Sequence, residues 1–228
     1  MNRRQFLAAS AGLAAQTSAR PNILFAIADD QSWLHTGFAG DPIVKTPNFD
    51  RVAKTGVYCR NSFSTCPGCA PSRASILTGR SIWQLEEAGT HASYFPRKFT
   101  VFPDLLRQAG YYTGLTGKGA GPANFKDTGW PHNPAGPAFD QHKVAKGALD
   151  VHADDYAANF DDFLKQRPKE KPFYFWFGSH EPHRGYRPGS GAAAGKDPAQ
   201  VKVPAFLPDT PEVRSDLLDY YEEIEYFD

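Results

Sequence analysis

The sequence predicts an α/β fold built on a largely parallel central sheet flanked by helices. Three observations predict it. Short apolar runs alternate with helical segments in the order β–α–β–α–β–α–β–α. Several of those runs are continuous rather than alternating, as suits parallel strands covered on both faces. Asp29, Asp30, Lys118, His180 and His183 each follow a predicted strand, and open α/β sheets gather their ligand sites at the C-terminal ends of strands.

Residues 1–19 read as an export signal and not as fold. Asn2-Arg3-Arg4-Gln5-Phe6-Leu7 precedes a small-residue, weakly apolar stretch, and Thr17-Ser18-Ala19 offers a cleavage point. The Arg pair followed by Phe-Leu resembles a twin-arginine signal. It predicts bacterial export of an already folded chain, to the periplasm or beyond. A basic tail is the alternative.

Residues 21–28 read as a strand that stops at Asp29-Asp30. Thr46-Pro47 opens a helix, with Thr as N-cap and Pro at the first helical position. Phe49, Val52 and Ala53 form its apolar stripe and Gly56 ends it. Residues 57–63 read as a second strand and 64–71 as a Ser/Pro/Gly loop. Residues 72–78 form a short helix closed by Gly79. Cys69 is thereby placed just before a helix N-terminus, where free N–H groups favour negative charge. A helix over 102–109 leads through Gly110 to a strand over 111–116 and then to Gly117-Lys118-Gly119. Residues 121–147 read as a Gly/Pro-rich surface excursion. Residues 154–166 form an amphipathic helix, with Tyr156, Phe160, Phe163 and Leu164 on one side. An aromatic strand over 172–178 delivers His180 and His183. Residues 186–200 read as a loop and 211–228 as a last helix.

Composition excludes some classes. Lys plus Arg number 25, as do Asp plus Glu, so the net charge is zero. No global field draws the chain to nucleic acid or an anionic membrane. An anionic ligand must be held by a few placed cations. No apolar run is long enough for a membrane span. Cys59, Cys66 and Cys69 are an odd, clustered set, which argues against a disulfide framework. Cys66-Pro67-Gly68-Cys69 is a CxxC and admits a thiol-redox reading. A zinc site would need a second short-spaced ligand pair, and none follows. Gly117-Lys118 fails the phosphate-loop pattern, with Tyr112 at its first Gly and Gly119 at its Ser/Thr.

The run Cys69-Ala70-Pro71-Ser72-Arg73-Ala74-Ser75-Ile76-Leu77-Thr78-Gly79-Arg80 resembles the signature of the sulfatase family, Cys-x-Pro-Ser-Arg-x-x-x-Leu-Thr-Gly, at every specified position. Residues 22–30 are similar to the family's first strand with its metal-binding Asp pair. Residues 110–118 resemble the segment carrying the catalytic Lys, and 175–183 the strand ending in the catalytic His. Within the family, Ser179-His180-Glu181-Pro182-His183-Arg184 and residues 203–211 resemble the heparan N-sulfatase (N-sulfoglucosamine sulfohydrolase, sulfamidase) branch. So does Arg214-Ser215-Asp216-Leu217. The likeness covers residues 21–228.

The resemblance implies an alkaline-phosphatase-like fold, with residues 20–228 as the N-terminal part of the catalytic domain. The family's later metal ligands and a further Lys would lie beyond residue 228. It implies that a formylglycine-generating enzyme oxidises Cys69 to Cα-formylglycine, whose hydrate is the nucleophile. Asp29, Asp30 and the converted Cys69 would ligate Ca²⁺. Arg73 would hold the nucleophile loop and Lys118 a sulfate oxygen. His183 would bind sulfate or protonate the leaving group, with His180 beside it contacting substrate. The implied substrate is a sulfated sugar, a glycosaminoglycan-derived glucosamine bearing an N- or O-sulfate.

One departure stands out: where the family has a His two residues after the Lys, this chain has Ala120. Three other readings stay open: a non-catalytic sulfoglycan-binding remnant, which Ala120 and the later ligands beyond residue 228 suggest; a phosphoesterase of the same superfamily, since sulfate and phosphate sites are similar in shape; and a thiol oxidoreductase, suggested only by the CxxC of Cys66 and Cys69. The remaining histidines, His35, His91, His132, His142 and His152, read as structural or substrate-rim residues, and Cys59 as a buried apolar residue.

Overall fold

The computed structural model describes residues 20–145 and 150–228; the expected export signal lies outside the described residues. Three strands form the sheet: β1 (Ile23–Ile27), β2 (Tyr112–Gly117) and β3 (Phe173–Gly178). Their order is β1–β3–β2 and both pairings are parallel. Ile27 and Gly117 both pair with Gly178, so the three strands end in register. The residues that follow them emerge along one edge of the sheet, which is what the sequence required of Asp29, Lys118 and His180.

The aromatic sequence of β3 explains why it is central. Successive side chains point to opposite faces, and both faces of this strand are packed. Tyr174 and Trp176 lie in one core with Ala70, Ala74, Leu77, Phe95, Val101 and Leu115. That layer is covered by α2 (Cys69–Thr78) and α3 (Phe102–Gln108), α1 being Pro47–Thr55. On the other face Phe175 meets Phe160 and Phe163, at centroid distances of 4.8 and 4.5 Å. Both belong to α4 (Tyr156–Gln166), which Asp155 caps by accepting from the Ala158 N–H. After a short helical turn α5 (Ser190–Ala193), α6 (Pro211–Phe227) begins at Thr210, whose hydroxyl accepts from the Val213 N–H. It packs in a second core with Ile43, Val44 and Val201.

Several sequence expectations are corrected. Residues 57–63 form no strand: Val57 and Phe63 are about 90% exposed (91% and 89%). The polar Arg60-Asn61-Ser62 at its centre gives that segment no apolar face, and Tyr58 packs sideways on Phe38 and Phe49. The apolar stripe of α1 buries nothing, since Phe49 and Val52 are exposed. Thr46 does not cap that helix with its hydroxyl. Its Oγ1 accepts from the Gly37 N–H and donates to Asp50. Residues 121–147 are not simply a surface excursion. Within them Leu115 N–H donates to Pro137 O and Phe139 N–H to Leu115 O, so this chain covers the free edge of β2, and Trp130 and Ala135 are buried. Cys59 is exposed rather than buried.

Candidate active site

Helix α2 starts at Cys69, three residues earlier than the sequence suggests, with Gly68 in extended conformation before it. Cys69 is therefore in the first turn, at the positive end of the helix. Gly79 closes the helix in the left-handed region, φ +66°, with its N–H on Ser75 O. The loop before the helix is tied to it: Thr65 Oγ1 donates to Ser75 Oγ (2.9 Å), and the Ser64 and Ser72 hydroxyls are 3.0 Å apart. These contacts hold the nucleophile candidate against the end of β1.

Asp29 is the hub. It leaves β1 with its N–H on Glu181 O (3.0 Å) and is almost wholly buried. Its Oδ1 faces Arg73 Nη2 at 3.4 Å and its Oδ2 accepts from Lys118 Nζ. Arg73 is likewise buried. It also donates to the carbonyls of Lys118 (2.7 Å) and Gly119 (3.2 Å), and its guanidinium lies 6.0 Å from the Trp176 ring centroid. Trp176 Nε1–H donates to the same Lys118 carbonyl. Burial pulls the Arg73 pKa below its ordinary value, opposed by Asp29 and, further off, by Cys69 and Asp30. Lys118 is aimed by Gly117, whose φ of +69° suits glycine, and a Cβ there would stand 2.2 Å from Gly178 O.

Asp30 turns out of the strand with φ +63°. Its carbonyl accepts from the Tyr220 hydroxyl (3.1 Å), and its Oδ2 lies 3.7 Å from His183 Nε2. His183 Nδ1–H donates to Arg184 O at 2.6 Å, which leaves Nε2 as the nitrogen facing Asp30. Glu181 braces this end of β3. Its carboxylate accepts from the His152 N–H, the Tyr156 hydroxyl and the Ser179 hydroxyl. His180 stacks on His152, with centroids 3.8 Å apart and 12° between planes. Burial, then His152 and Lys118, push its pKa down to about 4, so at neutral pH it is an uncharged imidazole.

Two clefts meet at Cys69. One, about 190 Å³, is lined by Asp29, Asp30, Gln31, Cys66, Cys69 and Arg73. The other, about 780 Å³, is lined among others by Cys69, His91, Lys118, His152, His180 and His183. All seven residues singled out from the sequence (Asp29, Asp30, Cys69, Arg73, Lys118, His180 and His183) thus border a continuous surface around one side chain. Two residues read as structural or rim also belong to it. His91 Nδ1 lies 3.8 Å from Cys69 Sγ, and His152 lies under His180. Both sit in loops without a strand-end signature, so only tertiary contact reveals them. Ala120 is fully buried; position 120 points into the core rather than the cleft.

A buried carboxylate between two cations, beside the first turn of α2 and several imidazoles, thus gathers the charged groups of this sheet edge around Cys69. The chain matches the Sulfatase family model over residues 21–228, and it belongs to the sulfatase family. It is 33% identical over 195 residues to the N-acetylglucosamine-6-O-sulfatase of Bacteroides thetaiotaomicron, covering 80% of this chain and 34% of that protein. It is 30% identical over 231 residues to human N-sulphoglucosamine sulphohydrolase, covering 89% of this chain and 44% of that one. The chain thus spans between a third and a half of the length of these two relatives. Among solved structures, one described as a complex with its substrate D-glucosamine-2-N,6-O-disulfate aligns with TM-score 0.60 and 26% identity, over 84% of this chain and 39% of the other. A member of the alkaline phosphatase superfamily from Vibrio parahaemolyticus aligns with TM-score 0.50 and 16% identity, over 92% and 50%. The fold is alkaline-phosphatase-like, as expected. No helix among the described residues is long and apolar enough to cross a membrane.

Proposed function

We propose that this chain carries the nucleophile half of a site that removes sulfate from a sulfated glucosamine, as ester or as N-sulfate. The observation that carries the reading is the shared cleft of Cys69, Asp29, Asp30 and Arg73. A thiol outside that cleft could not be joined to the acidic pair by one divalent ion. The glucosamine assignment rests on the names of the relatives, an N-acetylglucosamine-6-O-sulfatase and an N-sulphoglucosamine sulphohydrolase, and on the disulfated glucosamine bound in the similar structure.

The donors fit the implied groups in kind. Asp29 and Asp30 are hard oxygen ligands at the end of β1, and they supply part of the roughly six to eight oxygens that Ca²⁺ takes. The cations already gathered on Asp29 show that this carboxylate stabilises positive charge. Bound there, Ca²⁺ would act as a Lewis acid on a sulfate oxygen. The aldehyde made from Cys69 by a formylglycine-generating enzyme would supply a hydrated nucleophile at the helix N-terminus. The chain's own residues do the rest. Arg73 anchors α2 to the ends of β1 and β2. Lys118, on Asp29 and bordering the cleft with Cys69, would place its positive charge beside a sulfate oxygen. His180, uncharged, offers a hydrogen bond without repelling Lys118. His183 holds its Nε2 toward Asp30 and the cleft, where a leaving oxygen or nitrogen would take a proton. Export through a twin-arginine signal to the periplasm or beyond is part of this proposal.

The test is mass spectrometry of the peptide containing residue 69, from protein expressed with its generating enzyme, together with sulfate release from N- and 6-O-sulfated glucosamine. An aldehyde at position 69 and Ca²⁺-dependent release are expected. Full activity with an unmodified thiol in every molecule would refute the mechanism. Cys66→Ser is expected to leave release unchanged, whereas its abolition would favour the dithiol reading.

A further inference from the structure

His152, Asp154 and His180 bring their donor atoms within 4.8 Å of one another, and Asp154 among them is buried. None of the three is at the Asp29/Asp30 end of the site. His152 Nδ1 lies 3.0 Å from Asp154 Oδ2. That is close to the roughly 3–3.5 Å that separates two ligands bound about 2.1 Å from one zinc ion in tetrahedral geometry. The other carboxylate oxygen, Oδ1, accepts from Lys143 Nζ, the kind of outer contact that orients a ligating carboxylate. His180 brings a ring nitrogen within 4.8 Å of the donor atoms of the other two, and both rings border the larger cleft.

We propose that His152, Asp154 and His180 form a binding site for a divalent transition ion, Zn²⁺ before others, with its remaining position open to the cleft. Two imidazoles and one carboxylate are the donor set of open, three-ligand zinc sites. Nitrogen donors select Zn²⁺ over Ca²⁺, which takes oxygens. The nearby Lys118 is paired with Asp29, which blunts its repulsion of an incoming cation. Filling the site would engage His180, so Zn²⁺ would compete with substrate in the cleft. That consequence rests on the sulfatase reading, whereas binding itself does not.

The experiment is a titration of the untagged, EDTA-stripped full chain with Co²⁺, read by visible absorption, followed by displacement with Zn²⁺ in a calorimeter. One equivalent is expected, without a thiolate-to-metal charge-transfer band. His152→Ala and Asp154→Asn should each weaken binding at least tenfold with an unchanged melting profile, while Asp30→Asn should not weaken it. No binding, a thiolate band, or undiminished affinity in the His152 and Asp154 variants would overturn the assignment. Because no turnover is measured, the sulfatase reading could fail while this site stands, and the reverse.

Discussion

Replacing Asp29 by Asn keeps the shape of the hub and removes its charge. Arg73, almost wholly buried, would keep only neutral acceptors, among them the carbonyls of Lys118 and Gly119. At 3.4 Å and an effective dielectric of about 20, the lost attraction is roughly 5 kcal/mol before desolvation is counted. Breaking one side of a buried pair costs about 3–5 kcal/mol, because the other charge is left buried. The Asn oxygen can still accept a hydrogen bond, so about 3–4 kcal/mol is expected. For a chain of this size that lowers the melting temperature by roughly 6–16 °C. Arg73→Met should cost less, because Lys118 remains on Asp29. The assay is a double-mutant cycle by thermal and urea unfolding in EDTA, which keeps divalent ions from masking the effect. A coupling of about 2 kcal/mol or more between the two positions is expected. Additivity within about 0.5 kcal/mol, the behaviour of independent sites, would refute the view that Asp29 and Arg73 hold each other in the core.

Three further outcomes follow from the same structure. Gly117→Ala must place a Cβ 2.2 Å from Gly178 O at φ +69°; a loss of about 2 kcal/mol or more in urea unfolding is expected, together with weakened sulfate-analogue binding as Lys118 shifts. Glu223 is held up to about 7 by burial and by the charges of Glu181 and Asp150. A carboxyl whose folded value lies above its unfolded one costs stability as pH rises from about 4.5 to 7. Glu223→Gln should therefore stabilise by roughly 1–2 kcal/mol at pH 8, after allowance for partial screening, and by little at pH 4, as a pair of melting curves would show. Tyr174 is fully buried and its hydroxyl has no hydrogen-bond partner among the described residues. Tyr174→Phe should be neutral or stabilising by up to about 1 kcal/mol, and a clear loss in calorimetry would mean that the hydroxyl is satisfied after all.

The fold and the nucleophile motif were legible in the chain because they depend on local chemistry. Continuous apolar runs such as residues 23–27 and the aromatic run of β3 have no stable home except a strand packed on both faces. The Cys-x-Pro-Ser-Arg run reads without any structure, as do the carboxylates, lysine and histidines that follow strands. Tertiary structure decided what depends on partners distant in sequence. Residues 57–63 look like a strand but gain no ladder, since nothing local rewards their polar centre. Residues 121–147 look like a loop, yet their backbone pairs with the free edge of β2. His91 and His152 carry no local signal and enter the site only because chain closure brings one to Cys69 and the other under His180. The in-register ends of β1, β2 and β3 set which charges meet. Periodicity is written residue by residue, whereas the pairing of Asp29 with Arg73 and Lys118, 44 and 89 positions away, exists only once the strands have aligned.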